Sequence, residues 1–322
     1  MLKAFLLVVV GLAGEPEHGK TFHAWGTKLV EASDSLGVPA ERLVYLADQP
    51  AADDKRGLEA MSEEQKKSVA LAKGRATRDE IAAALERFAK EAGPDDLVFI
   101  TLVGHGTFNG GKALFNLQGR DMGPADFDVL LKKLPAKQIV FVNTASASAP
   151  FVEELSGKGR TIVTATRTGG QHFATLFGGY FVEALTSEAA DSDKNKRVSV
   201  LEAFLYARAE VKRAYDREGF LPKEQALLDD DGDKEGSQEP AITAKDGKVA
   251  AVVSLGTTGG DNLPADPKLR ALHLERRDLE RRVESHRLLK EGMEPARYAS
   301  ELEKLVTAIA LKTREIRTAE GK

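Results

Sequence analysis

Two short stretches of the sequence carry the residue types that acyl-transfer chemistry needs. His105 stands in VGHG, directly after an apolar run, and its flanking glycines let other groups approach it closely. The run NTASAS at 143–148 follows a second apolar run and offers Ser146 among other hydroxyl residues. A histidine close to a nucleophile supplies general acid–base catalysis near neutral pH. Two tight connections would contain the same residues, so a catalytic site and a pair of simple turns both remain open.

A third stretch, DSDKNKRVSVLE at 191–202, has the ligand spacing of an EF-hand calcium loop. Position 6 of such a loop favours glycine because it needs a positive φ, and Lys196 stands there instead, which weakens the turn. We expect calcium at this loop, with a solvated acidic loop as the alternative. A second acidic run at 229–233 lacks a closing glutamate and favours a solvated turn. The predicted calcium ligands are Asp191, Asp193, Asn195, Arg197 through its carbonyl, Ser199 and Glu202.

Alternating strands and helices must position these residues. Continuous apolar runs predict buried strands, and Thr77 with Glu80 forms a capping box before an amphipathic helix. We predict a three-layer α/β domain with a mostly parallel central sheet. His105 and the 144–148 hydroxyls then meet at the C-terminal edge of the sheet if their strands are neighbours. The predicted strands cover 4–10, 42–46, 97–103, 138–143, 160–166 and the run KVAAVVSLG at 248–256.

The composition changes at about residue 222, where an acidic loop and later a Gly-rich linker follow. From residue 268 the chain is charged and Leu-rich with two apolar stripes, which predicts an α-helical hairpin. His286 lies on one stripe and is expected to pack rather than bind a ligand. The predicted domains are therefore 1–262, the α/β domain, and 263–322, the helical hairpin.

Composition limits the classes of function. The 322-residue chain has a formal net charge of −4 with both signs mixed, which gives no reason to expect a nucleic-acid partner. Cysteine is absent, which excludes disulfides and thiolate metal sites, and no pattern indicates an organic cofactor. No apolar run reaches the roughly 18 residues of a membrane helix. The N-terminal apolar run favours a buried strand over a signal peptide, and the compartment stays open between cytoplasmic and, if a leader is missing, periplasmic or secreted.

The order of these elements resembles the legumain group of cysteine peptidases, which share the caspase fold. In that family a strand ending in His-Gly carries the catalytic histidine, as LVGHG does at His105 and Gly106. A later strand ends in Cys-x-Ser-Gly, and SASAPF places Ser146 at the cysteine and Ser148 at the serine. A slip of one residue would place Ala145 at the nucleophile instead. The resemblance covers roughly residues 3–235.

The resemblance implies peptide-bond hydrolysis by a histidine and a nucleophile, with a peptide or protein as substrate or partner. The segment TATRTGGQHF resembles the part of the family that lines the specificity pocket, which implies binding roles for Ser148, Arg167 and Gln171.

The substitution of serine for cysteine predicts little or no peptidase activity. A thiolate is an intrinsically strong nucleophile, whereas a serine hydroxyl needs a well-aligned base and a group that orients that base. The sequence is consistent with two origins of Ser146: a natural pseudoenzyme that has serine at this position, or an engineered replacement of a natural cysteine. Two classes of function follow: a hydrolase built on His105 and position 146, and a non-catalytic binding or scaffold module.

Overall fold

The computed structural model describes residues 3–51, 53–171, 173–256, 266–287 and 293–320. The chain divides into two compact units, one spanning 3–259 and the other lying within 260–322. Each unit is described by itself.

The first unit has nine described strands, five of which coincide closely with apolar runs of the sequence. Seven of them build one sheet and two form a separate hairpin. The strands are β1 (Ala4–Val10), β2 (Leu43–Ala47), β3 (Gly74–Arg75), β4 (Leu97–Val103), β5 (Gly106–Asn109), β6 (Lys112–Phe115), β7 (Gln138–Asn143), β8 (Arg160–Thr164) and β9 (Leu227–Asp229).

Helices connect these strands and cover the sheet. Half of the capping box predicted before α4 is present, since the Thr77 side chain accepts a hydrogen bond from the Glu80 N–H. The Thr77 N–H, which a full box would pair with the Glu80 side chain, goes to the Arg75 carbonyl instead. The helices of this unit are α1 (Pro16–Glu31), α2 (Lys55–Ala60), α3 (Glu63–Leu71), α4 (Arg78–Glu91), α5 (Pro124–Leu131), α6 (Pro150–Leu155), α7 (Phe177–Thr186) and α8 (Val200–Glu218). The second unit contributes α9 (Pro267–Arg287) and α10 (Pro295–Ala319).

The sheet order is β3-β2-β1-β4-β7-β8-β9, with only β9 antiparallel to its neighbour. The chain fills one side of β1 first and then continues on the other side with β4, β7 and β8. The point where the order reverses therefore lies between β1 and β4, which is where open α/β sheets bind ligands. The predicted mixed α/β fold with a mostly parallel sheet is confirmed.

The central strands are apolar because they are buried on both faces. All seven residues of β4 are buried, as are six of the seven in β1. Phe88 of α4 packs against Phe5 of β1 with ring centroids 5.3 Å apart, and both side chains lie in the core. The strand ends are thereby held rigidly, which fixes where the residues that follow them can lie.

The predicted strand at 248–256 is wrong. Residues 248–252 lie in turns, and the carboxylate of buried Asp230 accepts the N–H groups of Gly247 and Ala250. The N–H groups of Ala251, Val252 and Val253 bond to the carbonyls of Gly247 and Val249 within the same turns, so these donors are not free to pair with a strand. The last strand is instead β9, which the acidic run around it concealed in the sequence.

The second unit contains α9 and α10, which pack against each other. His286 is buried, stacks on Tyr298 with ring centroids 4.8 Å apart, and bonds to the Tyr298 carbonyl, so its predicted packing role is confirmed. The break expected at EGMEP, 291–295, lies partly outside the described residues, and its last residue, Pro295, begins α10. Within the described part of the chain, every helix is too short or too polar to span a lipid bilayer.

Candidate functional site

The ends of β4 and β7 bring His105 and Ser146 to the same edge of the sheet. The two strands pair in parallel, with Leu102 opposite Asn143. Gly106 N–H donates to Ser146 Oγ over 3.1 Å, and the same hydroxyl lies 3.1 Å from the Gly106 carbonyl, to which it donates. The turn after β7 is therefore tied to the His-Gly turn by two hydrogen bonds.

Ser146 is engaged by the backbone instead of facing an open crevice. Its side chain is buried, with 1% exposed. A hydroxyl has one proton to donate, and here that proton goes to the Gly106 carbonyl. A Cβ at Gly106 would stand 2.2 Å from the Ser146 carbonyl oxygen, so the contact requires glycine at this position.

The imidazole of His105 pairs with a second histidine. Its Nε2 atom lies 3.2 Å from Nδ1 of His18, and the ring of Phe22 meets it edge-on with centroids 5.1 Å apart. Burial, and secondarily the nearby charge of His18, lower the pKa of His105, while a hydrogen bond to the Ala13 backbone and the charge of Glu15 act in the opposite direction. His105 is therefore held in its neutral form at neutral pH.

Sequence reasoning missed His18. It lies in the first turn of α1, directly after the loop that leaves β1. Only the spacing in EPEH, with Glu15 three residues before His18, distinguishes it in the sequence. Its proximity to His105 arises because β1 and β4 are neighbours in the sheet.

Ser148 joins two turns of the sheet edge from the inside. It is fully buried, and its hydroxyl accepts the N–H groups of Ala165 and Thr166 over 3.1 and 3.3 Å. Thr166 Oγ1 in turn accepts the N–H of Ala149. The hydroxyl of Ser148 thus points into the protein and links the turn after β7 to the turn after β8.

Gln171 connects the same turn to the start of the acidic region. Its carbonyl accepts the N–H of Ala147, whose φ of +54° is in the left-handed region. Its side chain accepts the N–H of Arg167 and donates to the carbonyl of Lys223. Arg167 itself is exposed at this edge.

Residues 76–228 match the Peptidase C13 family. The resemblance to legumain-type peptidases is therefore confirmed over this part of the chain, which contains the His105 and Ser146 turns and ends within β9. The match is narrower than the expected 3–235 and leaves β1, α1 and the loop between them outside it. His18 and Phe22, which contact His105, lie on α1. No curated protein matches the chain.

Residues 76–228, called the C13 region below, contribute most of the lining of a cavity of about 390 Å³ beyond the end of β8. The Glu224 carboxylate at this cavity accepts the N–H groups of Leu176 and Phe177 at the start of α7, over 2.8 and 3.0 Å. Burial raises its pKa above the ordinary range for glutamate. The lining residues are Ala165, Phe177, Arg208, Val211, Lys212, Leu221, Pro222, Glu224, Gln225, Ala226 and Gln238.

An exposed aromatic patch borders this cavity. Phe173 and Phe220 are 64% and 60% exposed, and the ammonium group of Lys223 lies 4.8 and 6.0 Å from their ring centroids. Leu221 is 86% exposed and also lines the cavity. The Gln171–Lys223 hydrogen bond connects this patch to the turn that holds Ser146.

The acidic loop of the C13 region gathers its carboxylates. Oxygen atoms of Asp191, Asp193 and Glu202 lie within 4.8 Å of one another, and Lys196 has a φ of +64°. Burial raises the pKa of Asp193, and the negative charges of Glu202 and Asp191 add to this effect. The hydrogen bond that Asp193 accepts from the Asn195 backbone acts in the opposite direction.

The remaining predicted ligands belong to the same turn. Asn195 accepts the N–H of Arg197. Ser199 caps α8 and shares a capping box with Glu202. A similar cluster is formed by Asp229, Asp231 and Asp233 in the second acidic run.

Proposed function

We propose that this chain is a peptide-binding member of the Peptidase C13 family that does not cleave the peptides it binds. One observation carries the proposal: the Ser146 hydroxyl is held between the N–H and the carbonyl of Gly106. A serine nucleophile needs a base that takes its proton, and the proton of this hydroxyl is directed to a carbonyl.

His105, the residue that would act as the base, also bonds to a residue other than Ser146. Among the described residues, the hydrogen-bond partner of the His105 Nε2 atom is His18 and not Ser146. Removing a serine proton requires the base within roughly 2.6–3.2 Å of the hydroxyl, with a third group holding the imidazole in place. Attack by Ser146 would therefore require both side chains to leave their present partners.

The backbone donors of the turn are occupied as well. Catalysis of acyl transfer uses N–H groups aimed at the oxygen that becomes charged in the transition state. The N–H of Gly106 goes to Ser146, and the N–H of Ala147, the next residue, goes to the Gln171 carbonyl. Stabilisation of an oxyanion at this turn would require these two bonds to break.

Peptide binding is supported by the surfaces beside the turn. The cavity at Glu224 is lined by six apolar residues and five polar or charged ones, so a bound peptide would find both apolar surface and hydrogen-bonding groups there. The exposed rings of Phe173 and Phe220 extend it outwards. Membership of a peptidase family makes peptides and proteins the class of ligand to test first.

The decisive experiment compares cleavage with binding in one peptide library. The unaltered chain is expected to bind members of the library without hydrolysing them, measured by fluorescence anisotropy and by mass spectrometry of the same mixtures. Hydrolysis that disappears in His105→Ala would contradict the proposal, because it would show an active serine peptidase.

Replacement of Ser146 by cysteine distinguishes a disabled peptidase site from a binding surface that never held one. Ser146→Cys places a thiol at the turn, and Ser148→Cys is the matched control at an equally buried position with other partners. Enhanced thiol reactivity and cleavage in Ser146→Cys alone would indicate a replaced nucleophile. We expect neither, because His105 faces His18.

We also propose that the loop at 191–202 binds Ca²⁺ through Asp191, Asp193, Asn195, the Arg197 carbonyl, Ser199 and Glu202. The specific support is the positive φ at Lys196, which is the conformation that the sixth position of such a loop needs. The gathered carboxylate oxygens supply hard ligands. The lysine side chain places a cation near the ion, so we expect a Kd of roughly 10⁻⁴–10⁻³ M.

Thermal melts test the calcium site. A concentration of about 10 mM Ca²⁺ should stabilise the fold by about 1–3 kcal/mol by mass action, and Mg²⁺ should do so less. Asp193→Asn should remove the effect, and it is preferable to Glu202→Ala because Glu202 also caps α8. Identical melting temperatures with Ca²⁺ and with EDTA would leave a solvated loop.

A further inference from the structure

We propose that the cavity beyond β8 and the aromatic patch beside it bind a carboxylate that stands next to a large apolar side chain. The carboxylate belongs either to an acidic residue within a peptide or to the free C-terminus of a chain. This inference rests on the proposed peptide-binding function and adds the chemistry of the ligand. Its starting observation is the Lys223 ammonium group, which lies 4.8 Å from the ring centroid of Phe173 and 6.0 Å from that of Phe220.

The inner wall of the cavity suits an apolar side chain. Four of the lining residues are apolar and buried, whereas Leu221, which also lines the cavity, is 86% exposed and stands at its opening. The volume of about 390 Å³ falls within the roughly 300–1,000 Å³ of ligand pockets, so a large side chain can enter. The four buried residues are Ala165, Phe177, Val211 and Ala226.

The charged lining residues disfavour a basic side chain as the occupant. Among the described lining residues, the carboxylate is that of Glu224, which is 5% exposed and accepts the N–H groups of Leu176 and Phe177. The other charged lining residues, Arg208 and Lys212, are cations. A lysine or arginine of a ligand would therefore meet like charge and lose hydration without gaining a partner.

The cations around the cavity differ in whether they already have an anionic partner. Arg208 pairs with the carboxylate of Glu239, and Lys212 pairs with that of Asp216. Within the part of the chain that the structure describes, the ammonium group of Lys223 contacts the two aromatic rings and forms no ion pair. A ligand carboxylate can therefore pair with Lys223 while an adjacent apolar side chain contacts the rings or enters the cavity.

Gln171 joins the two loops that carry the unpaired cations. Its side-chain oxygen accepts the N–H of Arg167 over 2.7 Å, and its side-chain nitrogen donates to the carbonyl of Lys223 over 2.9 Å. Arg167 is exposed and, like Lys223, forms no ion pair with another described residue. Uncompensated positive charge thus lies beside an apolar cavity, which complements a ligand that is both acidic and apolar.

Binding of short peptides to the full chain tests the inference by fluorescence anisotropy. The probes are labelled hexapeptides with blocked ends and Glu-Phe, Gln-Phe, Lys-Phe or Glu-Ala at the centre. Glu-Phe should bind up to about fivefold more tightly than Gln-Phe, as expected for a solvent-exposed ion pair, and Lys-Phe should bind more weakly than both. Glu-Ala should bind about tenfold more weakly than Glu-Phe, because no large apolar side chain is buried.

A fifth probe distinguishes the two sources of the carboxylate. It ends in Phe with a free C-terminus and contains no acidic side chain. Tighter binding of this probe than of blocked Glu-Phe would assign the carboxylate to a chain terminus. Tighter binding of blocked Glu-Phe would assign it to an acidic side chain.

Exchange of charge at one position supplies the matched variants. Lys223→Glu should reverse the order, so that Lys-Phe binds more tightly than Glu-Phe. Lys158→Glu makes the same change before β8, at the opposite end of that strand from the cavity, and should leave the order unchanged. Phe220→Ala should weaken all probes that contain Phe and retain their order. These three side chains are exposed, so the variants are expected to fold.

Equal affinity of Glu-Phe and Lys-Phe for the unaltered chain would overturn the inference. An order that stays the same in Lys223→Glu would also overturn it. Either result leaves the proposed function intact as long as other peptides bind without cleavage. Cleavage of the bound probes would contradict the proposed function and not the ligand preference, whereas the absence of binding by every peptide would overturn both.

Discussion

His23 should make the fold sensitive to mild acid. It lies on α1, five residues after His18, is fully buried, and places Nδ1 2.7 Å from the Ser68 hydroxyl. Among the described residues its Nε2 atom has no hydrogen-bond partner. Burial lowers the pKa of His23 from 6.5 to about 4, because a charged imidazole at this position would lose its hydration.

The sign and size of the effect follow from this shift. The unfolded chain takes up the proton near its ordinary pKa of about 6.5, whereas the folded chain resists it until about pH 4. Stability is therefore complete above pH 6.5 and is lost as the pH falls towards 4. At 1.36 kcal/mol for each pKa unit, the loss is about 2 kcal/mol at pH 5 and about 3 kcal/mol at pH 4.

Other buried groups titrate in the same window with the opposite sign. Burial raises the pKa of Asp48 and of Asp246 to about 6, so the folded chain binds these protons more readily than the unfolded chain does. The pH dependence of the unaltered protein is therefore a sum. The contribution of His23 is isolated by subtracting the unfolding free energy of His23→Gln, which retains a polar group for Ser68, at each pH.

Urea unfolding at several pH values between 4 and 7.5 measures this difference. The stability of the unaltered chain relative to His23→Gln should fall by about 3 kcal/mol across the range. A difference that stays flat, or that grows as the pH falls, would refute the reasoning. If the variant does not fold, NMR titration of the His23 ring gives its folded pKa directly, and a value near 6.5 would be equally decisive.

Three further predictions concern the turns and caps. Gly106→Ala should destabilise the fold by about 2–3 kcal/mol because its Cβ meets the Ser146 carbonyl, whereas Gly157→Ala, whose Cβ has only ordinary contacts, should change urea midpoints little. Lys196→Gly should raise the unfolding free energy by up to about 1 kcal/mol without calcium, because the lysine there is held at a positive φ. The same variant should bind calcium more tightly in calorimetry, and weaker binding would contradict the reasoning. Thr77→Ala should cost about 1 kcal/mol through the lost cap of α4, and Thr77→Ser should restore most of it in thermal melts.

Much of the fold could be predicted because the signals are local. The strand boundaries at 97–103 and 138–143 agree with the sequence, since a strand buried on both faces must be apolar throughout. The last strand differs from the prediction because its three residues stand beside an acidic run, while in the apolar run at 248–256 the N–H of Ala250 is bound by Asp230 and the next three N–H groups bond to carbonyls of the same turns. In both places a long-range contact overrode the local pattern.

The sequence by itself determined which atoms are available at the site. It shows a histidine between glycines, hydroxyls in place of a thiol, and no cysteine anywhere, which already disfavours thiolate chemistry. It also determined that His105 and Ser146 follow buried strands, and therefore that they reach the same edge if those strands are neighbours.

Only the tertiary structure decided what those atoms contact. The Ser146 hydroxyl meets the Gly106 backbone, and His105 meets His18, which is 87 residues away in the chain. A shift of a few tenths of an ångström between donor and acceptor decides whether a hydrogen bond forms. The positions of these donors and acceptors are set by the pairing of β1, β4 and β7. Residue type and spacing carry no information at that scale, so the partners of the catalytic-type residues had to be read from the fold.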